Sequence, residues 1–353
     1  MRLKRIGEAI EEPPIRVVLY GVGAMGGSIA KALLKREGIK IVGAIDIAED
    51  KVGRDLGEVL GLESHMGITV SDDPDGVLSR SKADIAIHAT SSFLKDVYPQ
   101  ISTMIKHGVN VVSTCEELTY PYITDLKLAD KLDSLAREYG VTVLGTGINP
   151  GFLMDTLVIV LTSVCQEVES IRVERAIDAS KRRVPFQKKI GAGLKVEEFK
   201  AKMKTGLITG HVGLKQSVAM IAEALGWRLD EIRVMEAEPV RAEGYVKTEA
   251  VEVKPGDVAG LRQRAYGIID GEKVITLDFK AYLGADEYDA ITIRGVPDVN
   301  ERITPCIHGD LGTVAMIINS IPKVLKASPG LKTMLDLTLP SASLGDMRLH
   351  IRG

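Results

Sequence analysis

The segment GVGAMG, residues 21–26, constrains this chain more than any other stretch. IRVVLY (15–20), short, apolar and rich in β-branched residues, precedes it, and an amphipathic stretch from Met25 to about Arg36 follows. That order reads as strand, tight turn, helix. Gly21 permits the turn. Gly23 lets backbone approach a pyrophosphate with no Cβ in the way, and Gly26 lets the helix pack close to the strand. The free N–H groups at the helix start, with the helix dipole, attract a diphosphate. Asp46 lies 20 residues after Gly26, at the end of a second strand, IKIVGAI (39–45), where a carboxylate accepts hydrogen bonds from ribose hydroxyls. Gly21, Val22, Gly23, Ala24, Met25, Gly26 and Asp46 are therefore expected to hold a dinucleotide. Asp46 would repel a 2′-phosphate, so NAD is the first expectation and NADP the second; Lys51 and Arg54, just downstream, would soften the preference.

The rhythm continues. ADIAIHAT (83–90), VNVVST (109–114) and VTVLGTG (141–147) read as strands, and 51–60, 93–107 and 122–138 as helices. Alternation at this spacing implies a doubly wound parallel sheet over residues 1–147. After Pro150 a helix is expected over 151–164, then longer strands at 170–177, 231–240, 263–270, 273–283 and 288–295, several alternating with period two. IIDGEKV (268–274) carries Asp-Gly between two of them, a hairpin signal. Helices near 196–204 and 213–225 would cover one face of a mixed or antiparallel sheet. The expected fold class is α/β, with an N-terminal Rossmann domain, a second α/β substrate domain over 148–305, and a C-terminal segment, 306–353. Its apolar helix, 309–327, is expected to break or end near Pro322.

In open α/β sheets, ligands bind at the carboxyl ends of parallel strands. Ala89, Thr90 and Ser91 follow one such strand, and Thr114 and Cys115 another, so these five are expected beside the nicotinamide half. Glu116 and Glu117 come next. A carboxylate there could stabilise a cationic iminium and move protons to and from water or ammonia; its ordinary role would be a helix-start carboxylate. Asn149, in GINPG, stands at the end of the nucleotide-binding half, where ligands are favoured. His211 and His308 each precede a helix and are candidates for a proton shuttle or a helix cap. KRRVPFQKK (181–189) could present Arg182 or Arg183 to a substrate carboxylate. Nothing pairs with the histidines at metal spacing, so no metal is expected. Cys115 has no evident histidine partner, which argues against a nucleophile.

Composition narrows the class. Lys+Arg 45 against Asp+Glu 48 gives a net charge of −3, with no long basic block, and no helix-turn-helix pattern is evident. Nucleic acid is not an expected partner. No apolar run suggests a membrane span, and no apolar core follows the basic start of MRLKRIGEAIEEPP, so neither a membrane nor a secretory signal is expected. Three scattered cysteines, with no CxxC, suit a reducing cytoplasm. Four Asn and five Gln beside abundant Lys, Arg and Glu hint at a thermophilic source.

GVGAMG, the Asp46 strand end, VVSTCEELTYP (111–121), GTGINPGF (145–152), GHVGLKQS (210–217) and IHGDLGT (307–313) together resemble the 2,4-diaminopentanoate dehydrogenase family, within the dihydrodipicolinate-reductase-like group. The resemblance covers nearly the whole chain. It implies a C-terminal helix returning to the Rossmann domain, a sheet that often forms a dimer interface, hence a homodimer, and a small amino-acid or amine substrate. It also implies reversible oxidative deamination of 2,4-diaminopentanoate to 2-amino-4-oxopentanoate and ammonia, as in ornithine degradation. The family's essential glutamate falls within Cys115-Glu116-Glu117. By analogy with the sugar-dehydrogenase pattern Cys-Glu-Lys-Pro, Glu117 takes the place of the reactive lysine. Asn149, Arg182, Arg183 and Thr304 are then expected at the substrate. Dihydrodipicolinate reductases proper carry a His-His segment and an Asp-Ala-Pro-Ser-Gly-Thr-Ala stretch, and this chain has neither. The alternative is a related oxidoreductase acting on a semialdehyde, oxo-acid or cyclic imine; a dinucleotide-binding sensor ranks third.

Overall fold

The computed structural model describes residues 12–182 and 184–351, and the expectation for Arg183 lies outside them. The chain divides into two compact units: the described part of Met1–Gly147 with Thr313–Gly353, and Ile148–Gly312.

In the first unit the order is β1 (Ile15–Tyr20), α1 (Ala24–Leu33), β2 (Ile39–Ile45), α2 (Leu56–Val59), β3 (Val70–Ser71), α3 (Pro74–Ser81), β4 (Ile85–His88), α4 (Leu94–Lys106), β5 (Asn110–Ser113), α5 (Leu126–Glu138) and β6 (Thr142–Gly145). The strands lie in the order β3-β2-β1-β4-β5-β6, all parallel, with a late strand from Gly330–Lys332 added beside β6. This is the Rossmann order, whose reversal between β1 and β4 opens a crevice at the carboxyl ends. The strands are buried on both faces, as helices on both sides require: Val17, Val18, Leu19, Ile85, Ala86 and Ile87 are inaccessible to solvent.

The helix expected over 51–60 is only the four-residue α2. Asp55 ends the preceding turn by accepting from the N–H groups of Gly57, Met66 and Ile68, and these bonds compete with a longer helix. β3 and α3 carry little apolar periodicity and were not anticipated.

The second unit contains α6 (Thr156–Thr162), β7 (Glu167–Asp178), α7 (Val184–Lys189), α8 (Val196–Lys204), α9 (Leu214–Leu225), β8 (Glu231–Val234), β9 (Glu238–Arg241), the β10–β11 ribbon (Val246–Lys247, Glu252–Val253), β12 (Val258–Ile269), β13 (Glu272–Tyr282), β14 (Tyr288–Val296) and β15 (Val299–Ile303). Its sheet runs β15-β14-β7-β13-β12-β8, with β9 also on β12. Only β7 and β13 pair in parallel. The expected mixed sheet is present. Asp270 and Gly271 form its hairpin turn, both with positive φ. Ile171, Val173 and Ile177 of β7 and Ile275, Leu277 and Phe279 of β13 face inward and share one buried core with α8 and α9.

Three expectations are corrected here. The single strand over 231–240 is two, β8 and β9. The helix over 151–164 starts only at Thr156, because the Asp155 carboxylate accepts from the N–H groups of Gly151 and Thr156 and closes residues 151–155 into turns. A last helix, α10 (Gly309–Lys326), continues through Pro322 rather than ending there. Pro322 removes one backbone bond, but Ile317, Ile318, Ile321 and Val324 bury a continuous stripe across it. Gly330–Lys332 is β16. Among the described residues no helix is long and apolar enough to cross a membrane.

Candidate active site

β1 delivers the chain into Gly21, whose φ is +92°. A Cβ there would lie 2.4 Å from Ala89 O, and one on Gly26 would lie 1.9 Å from Gly21 O, so both positions need glycine for packing alone. Gly23 differs. Its φ is −75°, and a Cβ would meet nothing within 4 Å. It opens α1, which has no side-chain cap and no acid in its first turn. Gly23 and Ala24 are exposed and Met25 is half-buried. An exposed, uncapped helix start beside an open glycine fits a diphosphate.

The Asp46 carboxylate lies against this turn. Its Oδ2 accepts from Val22 N–H at 2.7 Å and sits 3.0 Å from Lys51 Nζ, and its Oδ1 accepts from Ala48 N–H at 2.9 Å. Burial works against its charge, but these donors outweigh it and hold its pKa below the usual carboxylate range. Arg54 pairs with Glu58 instead.

Ala89, Thr90 and Ser91 follow β4, and Thr114 follows β5, whose loop is tied to β4 by Thr114 N–H donating to His88 O at 3.0 Å. Thr90 Oγ1 donates to Gln100 Oε1 at 2.7 Å, and Ser91 Oγ to Asp96 Oδ2 at 3.0 Å. His88, a residue the sequence reading passed over, joins the two loops. Its Nδ1 is 2.8 Å from Ser113 Oγ, and its Nε2 is 2.7 Å from Gln100 Oε1. Burial pushes its pKa down to about 4, so the imidazole is neutral. Cys115 is fully buried, with its thiol pushed up to about 12 by burial and its N–H bonded to Ser113 Oγ.

Glu116 and Glu117 are both half-buried at a short 3-10 turn, Glu117–Thr119. Glu117 Oε2 accepts from Leu94 N–H at 2.7 Å. It thereby serves the start of α4, where Phe93 provides no side-chain cap.

In the second unit Asn149 and His211 are brought together. Asn149 Nδ2 donates to His211 Nε2 at 2.9 Å. His211 N–H donates to Gln263 Oε1 at 2.7 Å, and its ring stacks on Phe279 with centroids 4.4 Å apart. Burial, with the charges of Lys189 and Arg175, pushes the imidazole down to about 3. It is therefore neutral and poorly suited to carry a proton near pH 7. Arg182 is buried. Its Nη2 donates to Asp310 Oδ1 at 2.9 Å, and its guanidinium stands 4.7 Å over the Phe186 ring. Thr304 and His308 are exposed, and His308 Nδ1 accepts from Leu311 N–H at 3.4 Å at the start of α10, a helix cap.

Arg175 was missed. It is 1% exposed, donates to Asp289 Oδ1 at 2.8 Å and to the Ile307 carbonyl, while Asp289 Oδ2 accepts from Ile307 N–H. The signal was available: period-two alternation puts Arg175 on the face of Ile171, Val173 and Ile177. Asp155, fully buried and accepting from Ser217 Oγ, had no such signal. Among the described residues, no group of three His, Cys, Asp or Glu is placed to hold a metal ion.

Comparison with known proteins bears on the fold and the family. A sequence model of the 2,4-diaminopentanoate dehydrogenase C-terminal domain matches residues 152–353, and one of the dihydrodipicolinate reductase N-terminus matches residues 15–131. The chain is 37% identical to the 2,4-diaminopentanoate dehydrogenase of Acetoanaerobium sticklandii, over 95% of this chain and 96% of that protein. It is 24% identical to an amine dehydrogenase of Streptomyces virginiae, over 93% of this chain and 97% of the other. The solved structure of an amine dehydrogenase from Mycobacterium smegmatis superposes with a TM-score of 0.82 at 29% identity, covering 93% of this chain and 97% of that one. A likeness that spans both units, over nearly the full length of both chains, is a family relationship: the chain belongs to the 2,4-diaminopentanoate dehydrogenase family.

Proposed function

We propose that this oxidoreductase catalyses the NAD(P)-dependent oxidative deamination of 2,4-diaminopentanoate to 2-amino-4-oxopentanoate and ammonia, and the reverse reductive amination. The observation that carries this reading is the 37% identity to a 2,4-diaminopentanoate dehydrogenase over 95% of the chain. A bound dinucleotide supplies the hydride acceptor for C4 of the substrate. That carbon becomes an iminium, water adds to it, and ammonia leaves. The substrate ammonium, oxidised cofactor and water thus give ketone, ammonium, reduced cofactor and one proton.

A carboxylate near that carbon stabilises the cation and takes the proton. We assign this work to Glu117 or Glu116, the adjacent acids that follow β5; Glu117 Oε2 also serves the start of α4. Asn149 and Arg182 are read as substrate contacts, and His211 as a neutral fixture rather than a proton carrier. The α1 turn holds the diphosphate. Asp46 favours NAD, and its Lys51 partner lets NADP in. Three free cysteines suit the expected cytoplasmic setting, and a homodimer is testable by light scattering.

The test follows reduced cofactor in the presence of the diamine, with Glu116→Gln and Glu117→Gln beside the unaltered protein. Turnover of the diamine, and a reverse reaction that needs ammonia, are expected. No turnover overturns the reading, and full activity in both variants removes the acid–base role.

A further inference from the structure

We propose that Asn149 recognises the amine that is not oxidised, the C2 ammonium of the substrate, through an amide oxygen held in place by His211; this rests on the reading above. Among the described residues Asn149 Oδ1 is buried and has no hydrogen-bond partner. A buried amide oxygen without a donor costs stability, so its retention points to a donor brought by a ligand.

The surroundings explain why the amide faces that way. A neutral imidazole has one donor and one acceptor nitrogen. With Nε2 accepting from Asn149 Nδ2, the amide oxygen is turned away from the ring and is left for another group. His211 itself cannot swing. Its ring stacks on Phe279, and its backbone N–H donates to Gln263 Oε1, while Gln263 Nε2 donates to Met235 O at 3.0 Å. Two glycines with positive φ let this loop press in. A Cβ on Gly210 would lie 2.6 Å from Gln263 Oε1, and one on Gly213 would lie 2.4 Å from Pro150 Cδ. The loop, the imidazole and the amide are therefore one rigid piece, with the acceptor set before substrate arrives.

The charge around it suits an α-amino acid head. Lys189 and Arg175 both act electrostatically on His211; Arg175 is paired with Asp289, so Lys189 is the charge that attracts a carboxylate. An uncharged acceptor in that field can take the adjacent ammonium without adding a negative charge that would repel the carboxylate. The C4 amine has no part in this contact.

The experiment compares steady-state kinetics of the full chain with NAD on 2,4-diaminopentanoate and on 4-aminopentanoate, which lacks only the C2 amine. Asn149→Ala is expected to lower the kcat/KM preference for the diamine roughly 10- to 100-fold, through KM, as loss of a hydrogen bond to a charged group predicts. His211→Phe keeps the stack but frees the amide, and should lower the preference by less. Asn149→Asp retains an acceptor of the same shape and should keep the preference; it also guards against an alanine variant that does not fold. An unchanged preference in Asn149→Ala, with both substrates slowed alike, overturns the proposal, as does a loss in Asn149→Asp equal to that in Asn149→Ala. If the unaltered protein turns over neither compound, the proposed function fails instead.

Discussion

Glu117 and Leu94 are joined by a 2.7 Å hydrogen bond from the first N–H of α4 to the glutamate's Oε2, across 23 residues of sequence. The pair does for α4 what a local capping residue does elsewhere, with a charge of the sign the helix start favours. Glu117→Ala should therefore destabilise the protein by about 1 kcal/mol in urea unfolding, while Glu117→Gln, which keeps the acceptor, loses much less. One of the two variants Glu116→Gln and Glu117→Gln should lower kcat/KM about 10²- to 10⁴-fold, the range for loss of an acid–base group. The variant with the larger catalytic loss identifies the acid–base residue, and equal, small losses in both would remove the role from the pair.

The glycine turn separates folding from binding. Gly26→Ala forces a Cβ onto Gly21 O and should lower the melting temperature by several degrees or prevent folding. Gly23→Ala meets no neighbour and has no strained φ, so the melting temperature of the cofactor-free protein should not change. Its cofactor Kd, measured by calorimetry, should rise about tenfold or more, because the added methyl group stands where the pyrophosphate approaches.

Cofactor preference should move with the Asp46–Lys51 pair. Lys51→Met removes the cation beside the carboxylate, so the ratio of kcat/KM for NADP over NAD should fall. Asp46→Ser should raise it. Equal effects on both cofactors in both variants would separate this pair from the ribose.

Two buried neutral histidines set an acid limit. The pKa of His88 is about 4 and that of His211 about 3 in the fold, against about 6.5 in an unfolded chain. Below pH 6.5 the unfolded state binds protons that the folded state refuses, so this contribution to stability is present above that pH and is lost as pH falls toward 4. Urea midpoints measured from pH 7 to 4.5 should fall, and His88→Gln should flatten the slope. In the same window, an acid limb in the pH–rate profile should survive His211→Gln.

Arg175 and Asp289 are 1% and 2% exposed, so either charge alone would be stranded. Asp289→Asn should cost roughly 3–5 kcal/mol by urea unfolding, and Arg175→Met a similar amount. The double variant Arg175→Met/Asp289→Leu should be much milder than the sum of the two. Additive losses would show that the pair does not act as a unit.

The sequence alone determined what neighbouring residues can encode. Strands at 15–20 and 39–45, the helices over 196–204 and near 213–225, and the Asp-Gly hairpin follow from period and turn chemistry, and the structure repeats them. The glycine turn was legible for the same reason: its six residues are contiguous and Asp46 ends the next strand, although the Ala89 carbonyl that Gly21 approaches follows β4. Tertiary structure decided which polar groups meet. Glu117 with Leu94, Asn149 with His211, and Arg175 with Asp289 are 23, 62 and 114 residues apart. No local pattern specifies such partners. They are chosen when the apolar faces close and each polar group carried inward must find a donor or acceptor there, because water is no longer within reach.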